Sequence, residues 1–169
     1  MSDERVRPRR QDRTMHSDSR IEAVLHQGQI VYIATSLNDH PYVIPNLYWY
    51  DADSQRIYFH TALEGRTRRS VENNPQVCLS VAEMGRLLPA DKAIEFSVEY
   101  ASVCVFGRAR VTDSEEEARH GLQGLLDKYF PDRKPGKDYR PITQNEIAQT
   151  AVYALEIEAW SGKEKVAQS

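Results

Sequence analysis

Cysteine is scarce in this chain. Only Cys78 and Cys104 occur among 169 residues, and neither belongs to a CxxC pair. No zinc site is expected, and buried, reduced thiols in a cytoplasmic protein are the simple reading. Long apolar runs are missing too. No stretch is long enough to span a bilayer. The Arg-rich N-terminus has no apolar core to act as a secretory signal. A strong charge of either sign is absent. The net charge of −3 gives no general pull toward nucleic acid or an anionic membrane. Internal repeats, low-complexity tracts, a Ser/His/Asp pattern and a cluster of metal-ligating residues are also absent from the sequence.

What remains is an ordinary globular composition, 40% hydrophobic and 28% charged, enough for one sizeable core. The expected organisation is a basic arm over residues 1–15 and a single domain over 16–169. The arm sets Arg5, Arg7, Arg9, Arg10 and Arg13 against Asp3, Glu4 and Asp12. Such a run is either a solvated tail or a reach toward an acidic or phosphate-bearing partner.

The pattern along the chain predicts a mainly β protein. Ser17 or Asp18 caps a short helix with Ile21, Val24 and Leu25 on one face, ended by Gly28. Strands are expected over 29–36, 41–50 and 56–61, joined by polar turns at 37–40 and 51–54 as a three-stranded meander. Pro45 lacks a ladder N–H, which places the second strand at an edge or bulges it there. Tyr48 and Tyr50 share one face of that strand and Trp49 the other, a run better suited to packing than to stacking on a ligand. A basic helix over 65–71 follows, closed by Asn73-Asn74-Pro75.

Further strands are expected over 76–82 and 100–111, the latter broken at Gly107, with a loop over 83–96 between them. Thr112-Asp113-Ser114-Glu115 reads as a capping box for a helix bearing Ala118, Leu122, Leu125, Leu126 and Tyr129. Glu115, Glu116 and Glu117 suit the dipole of that helix. A linker over 131–141, a second capping box at Thr143-Gln144-Asn145-Glu146 and a strand over 151–160 complete the chain. Val152, Ala154, Leu155 and Ile157 are its candidate inward residues. Six or so strands in hairpins, with several peripheral helices, favour a small closed antiparallel β-barrel over a doubly wound sheet.

The chemistry concentrates between Ile57 and Pro75. A strand ending at His60-Thr61 leads through a short loop into a helix that starts near Gly65. A helix N-terminus offers free N–H groups and the positive end of the dipole, so it favours phosphate. Gly65 lets the backbone approach a ligand. Arg66, Arg68 and Arg69 add three guanidinium groups able to grip phosphate oxygens in pairs. The bland alternative is a solvated basic face. Against it, cations in a first turn oppose the dipole unless an anion is present. His60 is either an ordinary surface or satisfied histidine or a group beside the ligand. Trp160 is either a core anchor or a site residue.

Several stretches in series resemble the FMN-binding split-barrel proteins related to pyridoxamine 5'-phosphate oxidase, and within them the nitroimidazole-resistance (Nim-type) subgroup. Arg9-Arg10-Gln11-Asp12-Arg13 is similar to that subgroup's basic N-terminal motif, and Pro41-Tyr42-Val43-Ile44-Pro45-Asn46 to its second strand. Tyr58-Phe59-His60-Thr61-Ala62-Leu63-Glu64-Gly65-Arg66, followed by Asn74-Pro75, is similar to its most specific signature. Tyr100-Ala101-Ser102-Val103 through Gly107 is similar to its central strand, and Ser161-Gly162-Lys163 to its closing motif.

The resemblance implies an FMN-binding split barrel that forms a homodimer with FMN at the subunit interface. It implies that main-chain groups of Val43, Ile44, Pro45 and Asn46 face the flavin ring, that Gly65 and Arg66 hold the phosphate, and that His60 and Thr61 lie beside the flavin. His60 would contact substrate or donate a proton. Trp160 and Lys163 would approach from the last strand, from either subunit. Where the family usually carries a lysine after the arginine, this chain has Thr67; the Thr67 hydroxyl or Arg69 would supply the missing contact. The implied activity is two-electron transfer between FMN and a small planar substrate, a nitro compound being one such class. The partners implied are that substrate and a second copy, with neither nucleic acid nor membrane. The alternative is a non-catalytic binder of flavin, haem or deazaflavin, acting as carrier or sensor.

Overall fold

Asn38 and Asp39 both take positive φ, 51° and 61°, as a two-residue hairpin turn requires. They join β1 (Val31–Leu37) to β2 (His40–Asn46). The computed structural model describes residues 4–167; Asp3 of the basic arm and the end of the expected domain lie outside them. Helix α1 (Asp18–Gln27) precedes the hairpin, with the Ser17 hydroxyl accepting from the Arg20 N–H and Gly28 at its end, as expected. After β2 come β3 (Trp49–Asp51), β4 (Arg56–Ala62), α2 (Arg66–Asn73), β5 (Gln76–Leu88), β6 (Ser97–Val111), α3 (Glu115–Tyr129), α4 (Gln144–Ala148) and β7 (Thr150–Lys165).

The seven strands form one antiparallel sheet in the order β2-β1-β5-β6-β7-β4-β3. Pro41 and Pro45 are an even number of residues apart, so both missing N–H positions lie on one side of β2. That side has no strand neighbour, and the edge position expected from Pro45 forms. The break comes at Leu47-Tyr48, after which the chain re-enters the sheet as β3 on the opposite edge. The expected three-stranded meander is therefore corrected. β2 pairs only with β1, and β3 pairs with β4, because one bent stretch of chain serves both edges. The Asn46 amide donates to the His60 carbonyl at 2.9 Å and stitches those edges together.

Alternation fills the barrel with Val31, Ile33, Leu79, Val81, Val103, Val105, Tyr153 and Leu155, all buried. Ile21, Val24 and Leu25 of α1 and Val71 of α2 join this core. A second, smaller core lies outside the barrel wall, where Tyr58, Ala118, Ile147, Val152 and Ala154 pack together. Strand β7 is thus covered on both faces. Val152 and Ala154, expected to point inward, face α3 and α4, while Ala151, Tyr153 and Leu155 face the barrel. Tyr48 and Tyr50 sit in the main core and Trp49 in the second, the packing arrangement expected of that run. Gly124 lets α3 lie on Trp49, since a Cβ there would fall 2.0 Å from its ring.

Three local expectations change. Residues 83–88 are not loop but the continuation of β5, paired with the start of β6 as a hairpin arm. The arm leaves Met84, Leu87, Ile94 and Phe96 exposed, and its polar residues hide the strand alternation. The cap of α3 is Ser114, whose hydroxyl accepts from the Glu117 N–H. Thr112 does not serve, because it is still tied to β7 through the Val152 carbonyl and the helix begins only at Glu115. Cys78 and Cys104 are free but only half-buried. The second capping box, at Thr143 and Glu146, forms completely. Among the described residues no helix is long and apolar enough to cross a membrane.

Candidate functional site

Gly65 ends the loop after β4 with φ 154° and ψ 176°, a conformation essentially open to glycine alone. It is the N-cap of α2 and has no side chain to offer, so the first N–H groups of the helix lack a side-chain cap. The first turn holds no acidic residue. Among the described residues, neither Arg66 nor Arg69 forms an ion pair. The Arg66 guanidinium lies 4.6 Å over the ring of Tyr42 on β2. Arg68 is already engaged, donating to Glu72 at 2.7 Å and to the Leu63 carbonyl at 3.0 Å, so it is withdrawn from the expected trio of free cations.

A cleft of about 540 Å³ opens beside Gly65, bounded by Leu63, Glu64, Arg68, Arg69 and Glu72. Thr67 is only 6% exposed, its side chain turned into the packing under the helix. Of the two substitutes considered for the missing lysine, Arg69 is the one at the cleft. This end of α2 therefore concentrates positive potential from the dipole and two unpaired guanidinium groups around backbone donors.

Val43, Ile44, Pro45 and Asn46 occupy the edge strand, where alternate main-chain groups face away from the sheet. The Tyr42–Arg66 contact ties this strand to α2, and Asn46 ties it to His60. The His60 side chain lines a second cleft of about 380 Å³ with Leu47, Leu122, Leu126, Tyr129 and Phe130. Its Nδ1 is buried without a hydrogen-bond partner. Burial holds the imidazole pKa below its ordinary value, so the ring is neutral at pH 7. That state suits a hydrogen-bonding contact and does not suit a standing proton donor. Thr61 points elsewhere: its hydroxyl donates to the Ala62 carbonyl at 2.8 Å and lies 3.0 Å from the Tyr153 hydroxyl.

Trp160 and Lys163 sit apart from both clefts, and the Trp160 ring meets that of Tyr50 at 6.3 Å. Trp160 is opposite Val105 and Lys163 opposite Ser102, on β7, with β6, β5 and β1 between them and β2. Neither residue lines the cleft beside Gly65 or the cleft over His60. Trp160 packs partly against the main core, and its indole N–H donates to Asp18 at 2.9 Å, the core-anchor arrangement. In the arm, Arg10 and Arg13 both pair with Asp12, and Thr14 bridges to Lys163.

Sequence reading missed the cleft over His60. Its walls come from the 47, 122–130 and 139–150 regions, which only the docking of α3 brings together. Leu122, Leu126 and Tyr129 were legible as a helix face, but nothing local says what that face leaves open.

The family model of pyridoxamine 5'-phosphate oxidase matches residues 17–164. The fold is similar to that of the flavocytochrome Anf3 from Azotobacter vinelandii, with 26% identity and a TM-score of 0.86 over 98% of this chain and 75% of that one. It is similar to the FAD and haem binding protein from Mycobacterium smegmatis, with 24% identity and a TM-score of 0.82 over 92% of this chain and 74% of that one. It is also similar to a protein from Bacteroides thetaiotaomicron assigned to 5-nitroimidazole antibiotic resistance, with 22% identity and a TM-score of 0.75 over 89% and 86%. No curated protein sequence matches the chain.

Proposed function

This chain belongs to the pyridoxamine 5'-phosphate oxidase family, and on that premise we propose that it is an FMN-binding oxidoreductase acting on a small planar substrate. The observation that carries the reading is the start of α2: an uncapped helix N-terminus, a turn open only to glycine, and two arginines without an ion-pair partner. These residues fit a phosphate-bearing group. Gly65 and Arg66 main-chain groups, with the Arg66 and Arg69 side chains, would hold the phosphate. The free edge of Val43, Ile44, Pro45 and Asn46 would face the ring.

Bound FMN supplies two-electron redox chemistry; the protein binds, orients and shields. His60 would meet substrate from the wall of this cleft. The cleft is mostly apolar, with Arg140 and Glu146 also on its lining, and suits a flat, largely apolar molecule carrying a polar group, a description that a nitroaromatic meets. In a homodimer with FMN at its interface, Trp160 and Lys163, which line neither cleft of their own chain, would approach the flavin from the second copy. Two free thiols suit a reducing, cytoplasmic setting.

The second reading, a carrier or sensor without turnover, draws on the same histidine. Two structural relatives are a flavocytochrome and a FAD and haem binding protein. A haem beside His60 would also suit a mostly apolar cleft lined by a histidine. The visible spectrum of the purified protein separates the readings. A flavin spectrum that bleaches with a nicotinamide donor and recovers with a nitroaromatic acceptor supports the oxidoreductase. A Soret band, or bound flavin without turnover, supports the carrier. A colourless protein that takes up neither cofactor overturns both.

A further inference from the structure

The β5–β6 strand pair carries a continuous ladder of uncharged side chains on the outside of the barrel. Leu79, Val81, Val103 and Val105 are buried inside, so alternation turns the residues between them outward. Within the barrel wall the outward pairs are Cys78 with Phe106, Ser80 with Cys104 and Ala82 with Ser102. The ladder runs on into the hairpin arm as Met84 with Tyr100 and, past a bulge in β5, Leu87 with Val98. Val98 is two residues from Tyr100 on the strand without the bulge, so the same face is kept. None of these ten side chains is charged, in a chain that is 28% charged. The face widens without a charge on both sides. Tyr32 and Ala34 of β1 stand beside Ser80 and Cys78, and Ser161 of β7 stands beside Cys104. The first charge toward β7 is Lys163, beside Ser102.

A ribbon in water is expected to turn its polar residues to solvent, and this arm does the reverse. Glu83 is on the other face, opposite Ala101, and Glu99 accepts two hydrogen bonds from the Arg86 guanidinium, each 2.8 Å. Met84 and Leu87 are left 74% and 72% exposed. A two-stranded ribbon without a core of its own is marginal in water, and a contiguous exposed apolar surface marks a place of association.

The charges around the ladder choose the occupant. An anionic lipid surface calls for basic residues beside the apolar ones, yet residues 83–99 hold Glu83, Asp91, Glu95 and Glu99 against Arg86 and Lys92. A two-fold axis sets a patch against its own copy, so any charge in the middle of it would meet its like; a patch with none is self-complementary. The face also continues through Tyr32 and Ala34 to Pro45 and Val43 of β2, the strand given above to the flavin ring. We propose that this ladder is the surface on which a second copy of the chain seats, the two β5–β6 faces packing against each other about a two-fold axis. It names the contact surface of the homodimer proposed above and rests on that part of the reading alone. Cys78 and Cys104, half-buried and free in the single chain, are covered in the pair.

The test uses the reduced full-length chain. Sedimentation equilibrium is expected to give twice the chain mass at micromolar concentration. Ala82→Glu and Leu87→Asp each place a charge at an exposed ladder position, which a single chain tolerates. Each is expected to weaken the dimer by about 100-fold or more, with the far-ultraviolet circular dichroism of the parent; should one of them lose that spectrum, the other decides. Iodoacetamide is expected to label Cys78 and Cys104 several-fold more slowly in the parent dimer than in either monomeric variant. A monomeric parent overturns the proposal. So does a dimer that survives both charges, or one whose two thiols react as fast as those of the monomer. A monomeric parent that floats with phosphatidylcholine–phosphatidylglycerol vesicles overturns it in favour of a lipid surface. FMN titration of the same samples keeps the two readings apart. A parent dimer broken by both charges supports the ladder even where no flavin is taken up, and a monomeric parent that binds FMN overturns the ladder and leaves the flavin reading standing.

Discussion

The N-termini of α2 and α3 meet the same electrostatic demand in opposite ways. Helix α3 begins with the Ser114 hydroxyl on the Glu117 N–H and carries Glu115, Glu116 and Glu117 in its first turn. Its donors and its dipole are satisfied by the chain itself. Helix α2 begins with Gly65, has no side-chain cap and places Arg66, Arg68 and Arg69 where α3 places acids. Cations there raise the local potential that the dipole already creates. A start of that kind costs stability in the free chain and is offset when an anion binds. The contrast teaches where this fold is complete in itself and where it is complementary to something else.

Four substitutions sharpen or break that contrast. The largest effect is expected from Arg66→Ala, which removes a charge-assisted contact of about 1.5–3 kcal/mol and so weakens FMN about 10–100-fold. Quenching of flavin fluorescence on titration measures it, and an unchanged affinity would take the phosphate away from α2. Gly65→Ala comes next. It forces a side chain into the φ 154° conformation, at about 1–3 kcal/mol, and should lower both the urea midpoint and FMN affinity. Loss of stability without loss of affinity would mean that the turn serves the fold alone.

Ser114→Ala is the counterpart on α3. It should cost about 1 kcal/mol of stability and leave FMN affinity where it was; a drop in affinity would erase the distinction between the two helices. The smallest effect concerns acid. Glu117 accepts two hydrogen bonds from Arg110, each 2.8 Å, and its carboxyl is held below the ordinary range by that guanidinium. A carboxylate depressed in the folded state adds stability above its unfolded pKa and loses it as pH falls through the folded value. The pair is partly exposed, so the contribution is a few tenths of a kcal/mol, about the median of such pairs. Urea midpoints at pH 7 and pH 3 should fall less steeply with acid in Glu117→Gln than in the parent, and parallel slopes would remove Glu117 from the account.

Local signals in the sequence located much of this fold. The Ser17 cap, the Asn38-Asp39 turn and the Thr143–Glu146 box all form where short-range chemistry places them. Each depends on residues within four positions or on a single backbone preference. The break expected at Gly107 does not form, since β6 runs on through it and the extra residue at that point is Glu158 of β7. The failures share the opposite property. Pro45 revealed an edge strand, but not that Trp49 and Tyr50 would cross to the far edge. Thr112 had the right spacing for a cap, yet a carbonyl 40 positions away already held its N–H. The hairpin arm was hidden because a two-stranded ribbon without a core needs no apolar alternation.

The candidate site divides along the same line. The sequence alone determined the character of the α2 start, because glycine's freedom at positive φ, the helix dipole and three arginines act within one turn. Tertiary structure decided which of those arginines remain available, by tying Arg68 to Glu72 and turning Thr67 inward. It decided that His60 is a half-buried ring, its pKa lowered by burial, on a mostly apolar cleft, since that state follows from the docking of a helix about 60 residues away. It also set two cysteines 26 positions apart on one diagonal of β5 and β6. Dihedral preferences and dipoles are local and can be read along the chain. Burial and register are sums over distant neighbours and exist only once the barrel has closed.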